Sequence, residues 1–263
     1  MNHRCARCMQ WISVALCVTF SIATPRVRAQ NVGAGQGTPS RTPVLVELFT
    51  SEGCSTCPPA DDLLEDLIKR QPVPGVTIVG LGEHVDYWNQ LGWTDRFSSS
   101  AYSQRQRVYA RNMKASEVYT PQTVINGTRE ALGSDRAALM RAVTAARDGA
   151  GVLTVSRSGG SAAVIQIRVL LSGAERNQTP ELFAAVTDDD DTTMVTGGEN
   201  GGHSLHYTNT VRSLKSYGSI ADGQPKSLEI QLPPNSAKRK MHIVVFAQLP
   251  NQGRVIAAAD TAI

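Results

Sequence analysis

Hydrophobic residues follow two contrasting patterns, one before residue 150 and one after it. In the first part, short apolar runs alternate with stretches in which apolar residues recur every three or four positions. This arrangement predicts alternating strands and helices. In the second part, apolar residues mostly alternate with polar ones, which predicts strands with one face in solvent. We therefore expect the architecture to change near residue 150.

The elements predicted for the first part alternate between strand and helix. In chain order they are a strand at 44–50, a helix at 58–70, a strand at 76–81, a helix at 98–113, strands at 122–125 and 128–132, and a helix after Ser134. The pair Asn126-Gly127 is a strong hairpin signal between the last two strands. The predicted order over residues 43–149 is therefore βαβαββα.

The first thirty residues have the layout of a signal peptide. Arg4 and Arg7 precede an apolar run at 11–23, and Ala29 ends the short spacer after it. This layout predicts export with cleavage of residues 1–29. An uncleaved membrane anchor is the alternative, for which the apolar run is short. Residues 30–42, rich in small and polar side chains, are expected to be a flexible leader.

Cleavage would change both the charge and the cysteine content. The whole chain carries 26 basic and 23 acidic residues, a net charge of +3. Residues 1–29 contain four arginines and no acids, so the mature charge becomes 22 minus 23, or −1. Such a chain has no electrostatic support for binding nucleic acid. Of the five cysteines, only Cys54 and Cys57 would remain. The cleaved protein is expected to be secreted or periplasmic, without a membrane segment.

Cys54 and Cys57 lie directly before the predicted helix 58–70. A disulfide between them closes a very short loop and stabilises little, so redox reactivity is the better interpretation in an oxidising compartment. The N–H groups and dipole at a helix start favour a thiolate. We therefore expect Cys54 to project to solvent and attack, and Cys57 to be half-buried and resolve the mixed disulfide.

Neighbouring side chains act on this thiolate in opposite directions. The hydroxyls of Ser55 and Thr56 are expected to donate hydrogen bonds that lower the pKa of Cys54. The carboxylates of Glu52, Asp61 and Asp62 would raise it. The sequence therefore leaves open whether the pair oxidises or reduces its partner.

The segment 83–97 is a long aromatic loop with several further candidates. His84 could relay a proton during thiol exchange. It could also complete a Cys54/Cys57/His84 site for copper or another soft metal, or simply bind Asp86. The aromatic residues Tyr87, Trp88 and Trp93 could form a rim that receives a peptide, or pack inward as core residues.

Three segments carry a resemblance to a known family: VELFTSEGCSTCPPADDLL, HVDYWNQLGW and VYTPQTVING. Together with the second part, they resemble the exported bacterial domain-of-unknown-function family 1223. Residues 44–149 also resemble the thioredoxin superfamily. That resemblance implies a thioredoxin-like fold and a cis Thr120-Pro121 bond, with the Thr120 backbone near the sulfurs to hold an incoming peptide as an added strand. An ordinary trans proline is the alternative.

The second part, 150–263, is expected to form a smaller antiparallel β-sandwich-like domain that follows the thioredoxin-like domain at 43–149 in the chain. Its acidic run at 188–191 is interpreted as a solvated turn because it lacks the spacing of a calcium loop. The segment 197–202 is interpreted as a mobile hairpin. In the first part, Arg105, Arg107 and Arg111 are interpreted as a solvated helix face.

Three functions agree with these residues. The first is a thiol–disulfide oxidoreductase without a cofactor that acts on exported proteins or small thiols, together with a redox partner. The second is a copper or soft-metal handling protein that uses Cys54, Cys57 and His84. The third is a non-catalytic binding protein that keeps a structural disulfide.

Overall fold

A computed structural model describes residues 41–147, 151–175, 177–236 and 239–263. The predicted signal peptide 1–29 lies outside these ranges, as does the predicted leader up to residue 40. None of the helices in the described ranges is long and apolar enough to cross a membrane.

Most of the regular structure is strand. Among the described residues the α-helices are α1 Pro58–Arg70, α2 Ser100–Met113 and α3 Arg136–Ala145, with a short 3₁₀ turn at Asn89–Leu91. The strands are β1 Thr42–Thr50, β2 Val76–His84, β3 Gln122–Ile125, β4 Arg129–Leu132, β5 Val152–Gly160, β6 Val164–Ser172, β7 Glu181–Asp188, β8 Asp191–Met194, β9 Ser204–Tyr207, β10 Thr210–Ser219, β11 Pro225–Gln231, β12 Met241–Gln248 and β13 Val255–Ala262. The predicted order of elements before residue 146 is therefore observed.

Eight strands form one mixed sheet that draws on both parts of the chain. Its order is β13-β12-β7-β10-β2-β1-β3-β4. Strands β1 and β2 are parallel neighbours, and β3 and β4 extend the sheet as an antiparallel hairpin. On the other side, β10 pairs in parallel with β2 at Thr210 and Gly82. The first and second parts of the chain therefore share a single sheet.

The predicted fold class, a thioredoxin-like α/β domain followed by a separate β-sandwich-like domain, is wrong. Strands account for 43% of the described residues and helices for 19%, and the eight-stranded sheet runs through both parts. The physical reason lies at the free edge of β2. Asn209 fills that edge, since the Gly82 N–H donates to its carbonyl at 3.0 Å and its side-chain amide donates to the Gly80 carbonyl at 3.0 Å. Strand β10 then continues the sheet.

Smaller sheets complete the second part of the chain. Strands β11, β6 and β5 form a three-stranded sheet, which packs on the large sheet through Ile165 and Ile167 against Leu182 and Ile243. Strands β8 and β9 form an antiparallel hairpin. The six residues 197–202 lie in its connection.

Helix α1 sets the position of the cysteines. Its apolar face buries Leu63, Leu64 and Leu67 against the sheet, and prolines occupy its first two positions, where a backbone N–H is not needed. The helix ends at Gln71, whose left-handed backbone (φ 48°) lets its N–H donate to the Leu67 carbonyl at 3.0 Å. The start of α1 is thereby held beside the end of β1.

Candidate functional site

The two cysteines between β1 and α1 are joined as a disulfide. Their Cα atoms lie 5.4 Å apart, and both side chains are fully buried, with 0% of the surface of each residue exposed. The predictions that Cys54 projects to solvent and that Cys57 is half-buried are therefore both wrong. A partner cannot reach either sulfur in this conformation of the chain.

The backbone at the start of α1 differs from the expected cluster of free amides. Pro58 and Pro59 have no N–H, and the N–H of Cys57 donates to the carbonyl of Cys54 at 3.1 Å. The next two amides, of Ala60 and Asp61, both donate to the carbonyl of Cys57. A thiolate here would be stabilised by the helix dipole and not by free N–H groups of that turn.

The two residues between the cysteines have different roles. The hydroxyl of Thr56 lies 3.4 Å from the sulfur of Cys54, as predicted for a group that would stabilise a thiolate. Ser55 was predicted to do the same, but its hydroxyl and its backbone N–H both donate to one carboxylate oxygen of Glu199, at 2.7 and 3.0 Å. Ser55 therefore binds the second part of the chain.

The segment 197–202 lies over the cysteine pair. Besides Glu199, it contributes Asn200, whose side-chain amide donates to the carbonyls of Glu52 and Cys54 at 2.9 and 3.0 Å. Asn200 is itself 6% exposed. The predicted hairpin is observed, and its connecting residues cover the disulfide.

A buried ion pair lies at the end of β2. His84 is 1% exposed, and its Nδ1 lies 2.7 Å from Oδ2 of Asp95. The carboxylate of Asp95 also accepts the backbone N–H groups of Glu52 and Phe97. Burial lowers the pKa of His84, but Asp95 and other nearby carboxyl groups outweigh burial, so the net pKa lies above its ordinary value. The carboxyl groups around His84 therefore stabilise its protonated form by more than burial destabilises it.

Asp86 is not the partner of His84. Its backbone N–H donates to the hydroxyl of Ser103, and that hydroxyl donates to the Asp86 carboxylate at 2.5 Å. Asp86 thus fastens the aromatic loop to α2. The alternative in which His84 binds Asp86 is wrong, because the loop folds back and brings Asp95 to the ring instead.

Two further buried carboxyl groups lie near His84. Burial raises the pKa of Asp61 to about 7, against its hydrogen bond from Thr50 at 3.1 Å. Burial and the neighbouring Asp95 raise the pKa of Glu52, whose carboxylate accepts the indole N–H of Trp93 at 2.7 Å. Near neutral pH, Asp61 can either hold or release a proton.

Several buried atoms of this group have no hydrogen-bond partner among the described residues: Oε1 of Glu52, Nε2 of His84 and the hydroxyl of Tyr207. The rings of His84 and Tyr207 meet edge to face with centroids 4.8 Å apart. In the described ranges, no group of three or more His, Cys, Asp or Glu side chains is arranged to hold a metal ion. The predicted Cys54/Cys57/His84 metal site therefore has no support from the geometry.

Thr120 and Pro121 directly precede β3. Their peptide bond is cis, as the resemblance implied. The indole N–H of Trp88 donates to the hydroxyl of Thr120 at 2.8 Å, and the Cβ of Trp88 lies close to Gly53. Trp88 is partly buried against Phe49 and its neighbours, so it connects Thr120 to the turn before the cysteines and is held there as a packed residue.

Several residues of the site were not singled out from the sequence as functional. They are Asp95, Tyr207, Glu199 and Asn200, together with Asp61 as a group that holds a proton. Only the stretch GGENGG at 197–202 offered a signal, because an acid and an amide between glycine pairs are suited to making contacts in a tight loop. The other residues come from distant segments, and their spacing in the sequence does not connect them.

The fold and site together define a mixed-sheet protein with a buried Cys-x-x-Cys disulfide. Ionisable side chains lie near this disulfide, and a loop covers it. The model of the family described as protein of unknown function (DUF1223) matches residues 45–248. The chain belongs to that family. The resemblance to this family is therefore confirmed, whereas none of the comparisons places the chain in the thioredoxin superfamily.

Among solved structures there is a similarity that covers most of the chain. The crystal structure of protein AGR_C_4864 from Agrobacterium tumefaciens is 25% identical with a TM-score of 0.62, covering 84% of this chain and 94% of that one. A DUF3823 family protein from Bacteroides ovatus is 11% identical, with a TM-score of 0.30 and coverages of 43% and 52%. A domain of the outer membrane lipoprotein Omp28 from Porphyromonas gingivalis is 12% identical, with a TM-score of 0.30 and coverages of 43% and 87%. No curated protein matches the chain.

Proposed function

We propose that the protein is a thiol–disulfide oxidoreductase of the cell envelope whose redox centre is Cys54–Cys57. The observation that carries the proposal is the position of the buried carboxyl of Asp61 relative to the disulfide. Asp61 lies one helical turn after Cys57, and its N–H donates to the Cys57 carbonyl at 3.2 Å, so both side chains lie on one helix face. A proton donor at this position can assist Cys57 when it leaves as a thiolate.

The exchange follows from these groups. A thiolate of a dithiol partner forms a bond to the sulfur of Cys54, the Cys54–Cys57 bond breaks, and Cys57 leaves as a thiolate. The carboxyl of Asp61 gives its proton to that thiolate. The second thiolate of the partner then attacks the mixed disulfide and releases Cys54, so the partner is oxidised by two electrons and the protein is reduced by two. The reverse steps reduce a disulfide partner.

The charges around Asp61 act on this transfer in opposite directions, because His84 lowers the pKa of Asp61 whereas Asp62 and Asp95 raise it. Once Asp61 has lost its proton, its carboxylate lies near His84, which lowers the pKa of Asp61. Asp95 in turn raises the pKa of His84. The proposal rests on these groups and on the cysteine pair, and it does not require membership of the thioredoxin superfamily. Exported proteins or small thiols are the proposed substrates.

One observation favours a second candidate function. Both cysteines are fully buried, as expected for a structural disulfide in a non-catalytic binding protein. In that case the disulfide would not exchange with dithiols under native conditions.

We expect Cys54→Ser and Cys57→Ser each to abolish exchange with a fluorescent dithiol peptide, because each variant lacks one of the two sulfurs that form the disulfide. The reduced Cys57→Ser variant, mixed with the disulfide form of the same peptide, should instead accumulate a mixed disulfide between Cys54 and one sulfur of the peptide, while the other sulfur of the peptide leaves as a thiol. Mass spectrometry of the intact protein detects this species. Thermal unfolding of both variants serves as the control, since loss of so short a loop should change stability little. If the unsubstituted protein exchanges no faster than the uncatalysed reaction, the redox function is rejected and the binding candidate stands.

A further inference from the structure

The connection between β8 and β9 lies against the mouth of the disulfide site, although the two are separated by about 140 residues. We propose that residues 197–202 form a lid that closes over Cys54–Cys57, and that exchange requires the lid to lift. The inference rests on the proposed redox function. It adds a control step to that function, and it identifies the surface that a partner must reach.

The lid makes its contacts with the turn that contains the cysteines. Glu199 accepts two hydrogen bonds from Ser55, and Asn200 donates two, to the carbonyls of Glu52 and Cys54. These hydrogen bonds use main-chain groups on both sides of the Cys54 side chain. The lid therefore occupies the main-chain positions that an approaching peptide would need.

The contacts of the lid are polar, and a lifted lid exposes them to water; those of Glu199 already lie at the surface, whereas those of Asn200 are buried while the lid is closed. Ser55 is exposed, and the hydrogen bond from Ser55 holds the pKa of the Glu199 carboxyl below its ordinary value. Water can replace each of these partners when the lid lifts. Opening therefore leaves none of these lid groups buried and unsatisfied.

The backbone of the lid is suited to movement about a fixed base. Glycines occupy four of its six positions, two on each side of Glu199 and Asn200, and Gly198 and Gly202 have positive φ angles of 66° and 89°. At the base, the N–H of Val195 donates to the carbonyl of His203 at 2.9 Å. This pair can stay closed while the tip swings.

The lid also seats closely against the aromatic loop. A methyl group at Gly197 would lie 2.5 Å from the carbonyl oxygen of Gly92, and one at Gly198 would lie 3.1 Å from the Cβ of Trp93. Because a main-chain carbonyl cannot move aside as a side chain can, Gly197→Ala should push the lid away from the site. This variant tests the lid without touching Glu199 or Asn200.

The test compares how fast dithiothreitol reduces the disulfide in the folded protein, followed by quenching with a maleimide and mass spectrometry. We expect the double variant Glu199→Ala/Asn200→Ala to be reduced at least about tenfold faster than the unsubstituted protein, because four hydrogen bonds that hold the lid are lost. Gly197→Ala should be faster as well. Glu229→Ala, an exposed glutamate on β11, is the matched control and should leave the rate unchanged.

Equal reduction rates in the double variant and the unsubstituted protein would overturn the proposal that residues 197–202 must lift before exchange. This test is distinct from the test of the proposed function, because reduction by dithiothreitol reports only whether the sulfurs are accessible. Faster reduction of the lid variants without any exchange with dithiol peptides would support the lid and reject the oxidoreductase. Exchange with peptides at rates that do not respond to the lid variants would support the oxidoreductase and reject the lid.

Discussion

Replacing Arg105 with alanine is expected to lower the free energy of unfolding by about 3–5 kcal/mol, because it leaves a buried negative charge without its partner. The guanidinium of Arg105 is buried between α2 and the sheet. Its Nε donates to the carboxylate of Glu47 at 2.6 Å, and another nitrogen donates to the hydroxyl of Tyr109 at 2.6 Å. Glu47 is 0% exposed, so water cannot take the place of the lost cation.

A second buried carboxyl group increases the expected loss of stability in the Arg105→Ala variant. Glu83 lies 3.7 Å from Arg105, and burial together with the charge of Glu47 raises its pKa well above the ordinary value. Without Arg105, one cation would be missing beside two acidic groups. The favourable interaction of the guanidinium with the stacked rings of Phe183 and Phe246 would be lost as well.

Urea unfolding at pH 7, followed by circular dichroism, measures this effect. Arg107→Ala is the matched control, since Arg107 lies on the exposed face of the same helix and its loss should change stability by less than about 0.5 kcal/mol. A change of similar size in both variants would contradict the assignment of Arg105 to a buried ion pair.

Replacing Asp61 with asparagine is expected to change how stability depends on pH. The free energy of unfolding of the variant, minus that of the unsubstituted protein, should be about 4 kcal/mol higher at neutral pH than at acidic pH. The folded state holds the pKa of Asp61 at about 7, whereas the ordinary value is 3.8. Between these two values the unfolded chain releases the proton and the folded chain keeps it. The contribution of Asp61 to stability is therefore complete below pH 3.8 and is lost as the pH rises to 7, at about 1.4 kcal/mol for each pH unit.

Because asparagine does not titrate, the Asp61→Asn variant does not lose this stability as the pH rises. The measurement is the free energy of unfolding in urea at several pH values from 4 to 8, for the unsubstituted protein and for the variant. Asp62→Asn is the control, because Asp62 neighbours Asp61 but is exposed. Parallel pH profiles for Asp61→Asn and the unsubstituted protein would show that the carboxyl of Asp61 does not keep its proton in the folded state.

The local elements of the first part could be predicted from the sequence because each of them depends on nearby residues. The apolar run at 44–50 and the helical spacing at 58–70 match β1 and α1, and Ser99 caps α2 by accepting the N–H of Ala101. The prediction for α3 started the helix directly after Ser134; in the structure the side chain of Asp135 caps the helix by accepting the N–H of Ala138.

The joining of the two parts could not be predicted in the same way. The pairing of Thr210 with Gly82 links residues more than one hundred positions apart. An alternating pattern shows that a strand has one buried face, but it does not show which strand lies beside it. The same pattern therefore fitted a separate sandwich and an extension of the first sheet equally well.

Charged residues were misassigned for a related reason. Arg105 was interpreted as part of a solvated face, but it is buried with Glu47. A glutamate inside the apolar run of β1, and a second one near the end of β2, already required a buried cation or a retained proton. The cation could have been sought on the next helix, α2, since the first part of the chain supplies both elements.

The order of strands in the large sheet has a consequence for biogenesis. Strands β7, β10, β12 and β13 can enter the sheet only after the first part has been synthesised. Strand β2 therefore waits for its second neighbour, β10, which lies more than one hundred positions later in the chain, and such non-local pairing is slow. During this interval residues 197–202 cannot yet cover Cys54 and Cys57. The nascent chain therefore presents an uncovered thiol pair to oxidants until residues 197–202 reach their place over it.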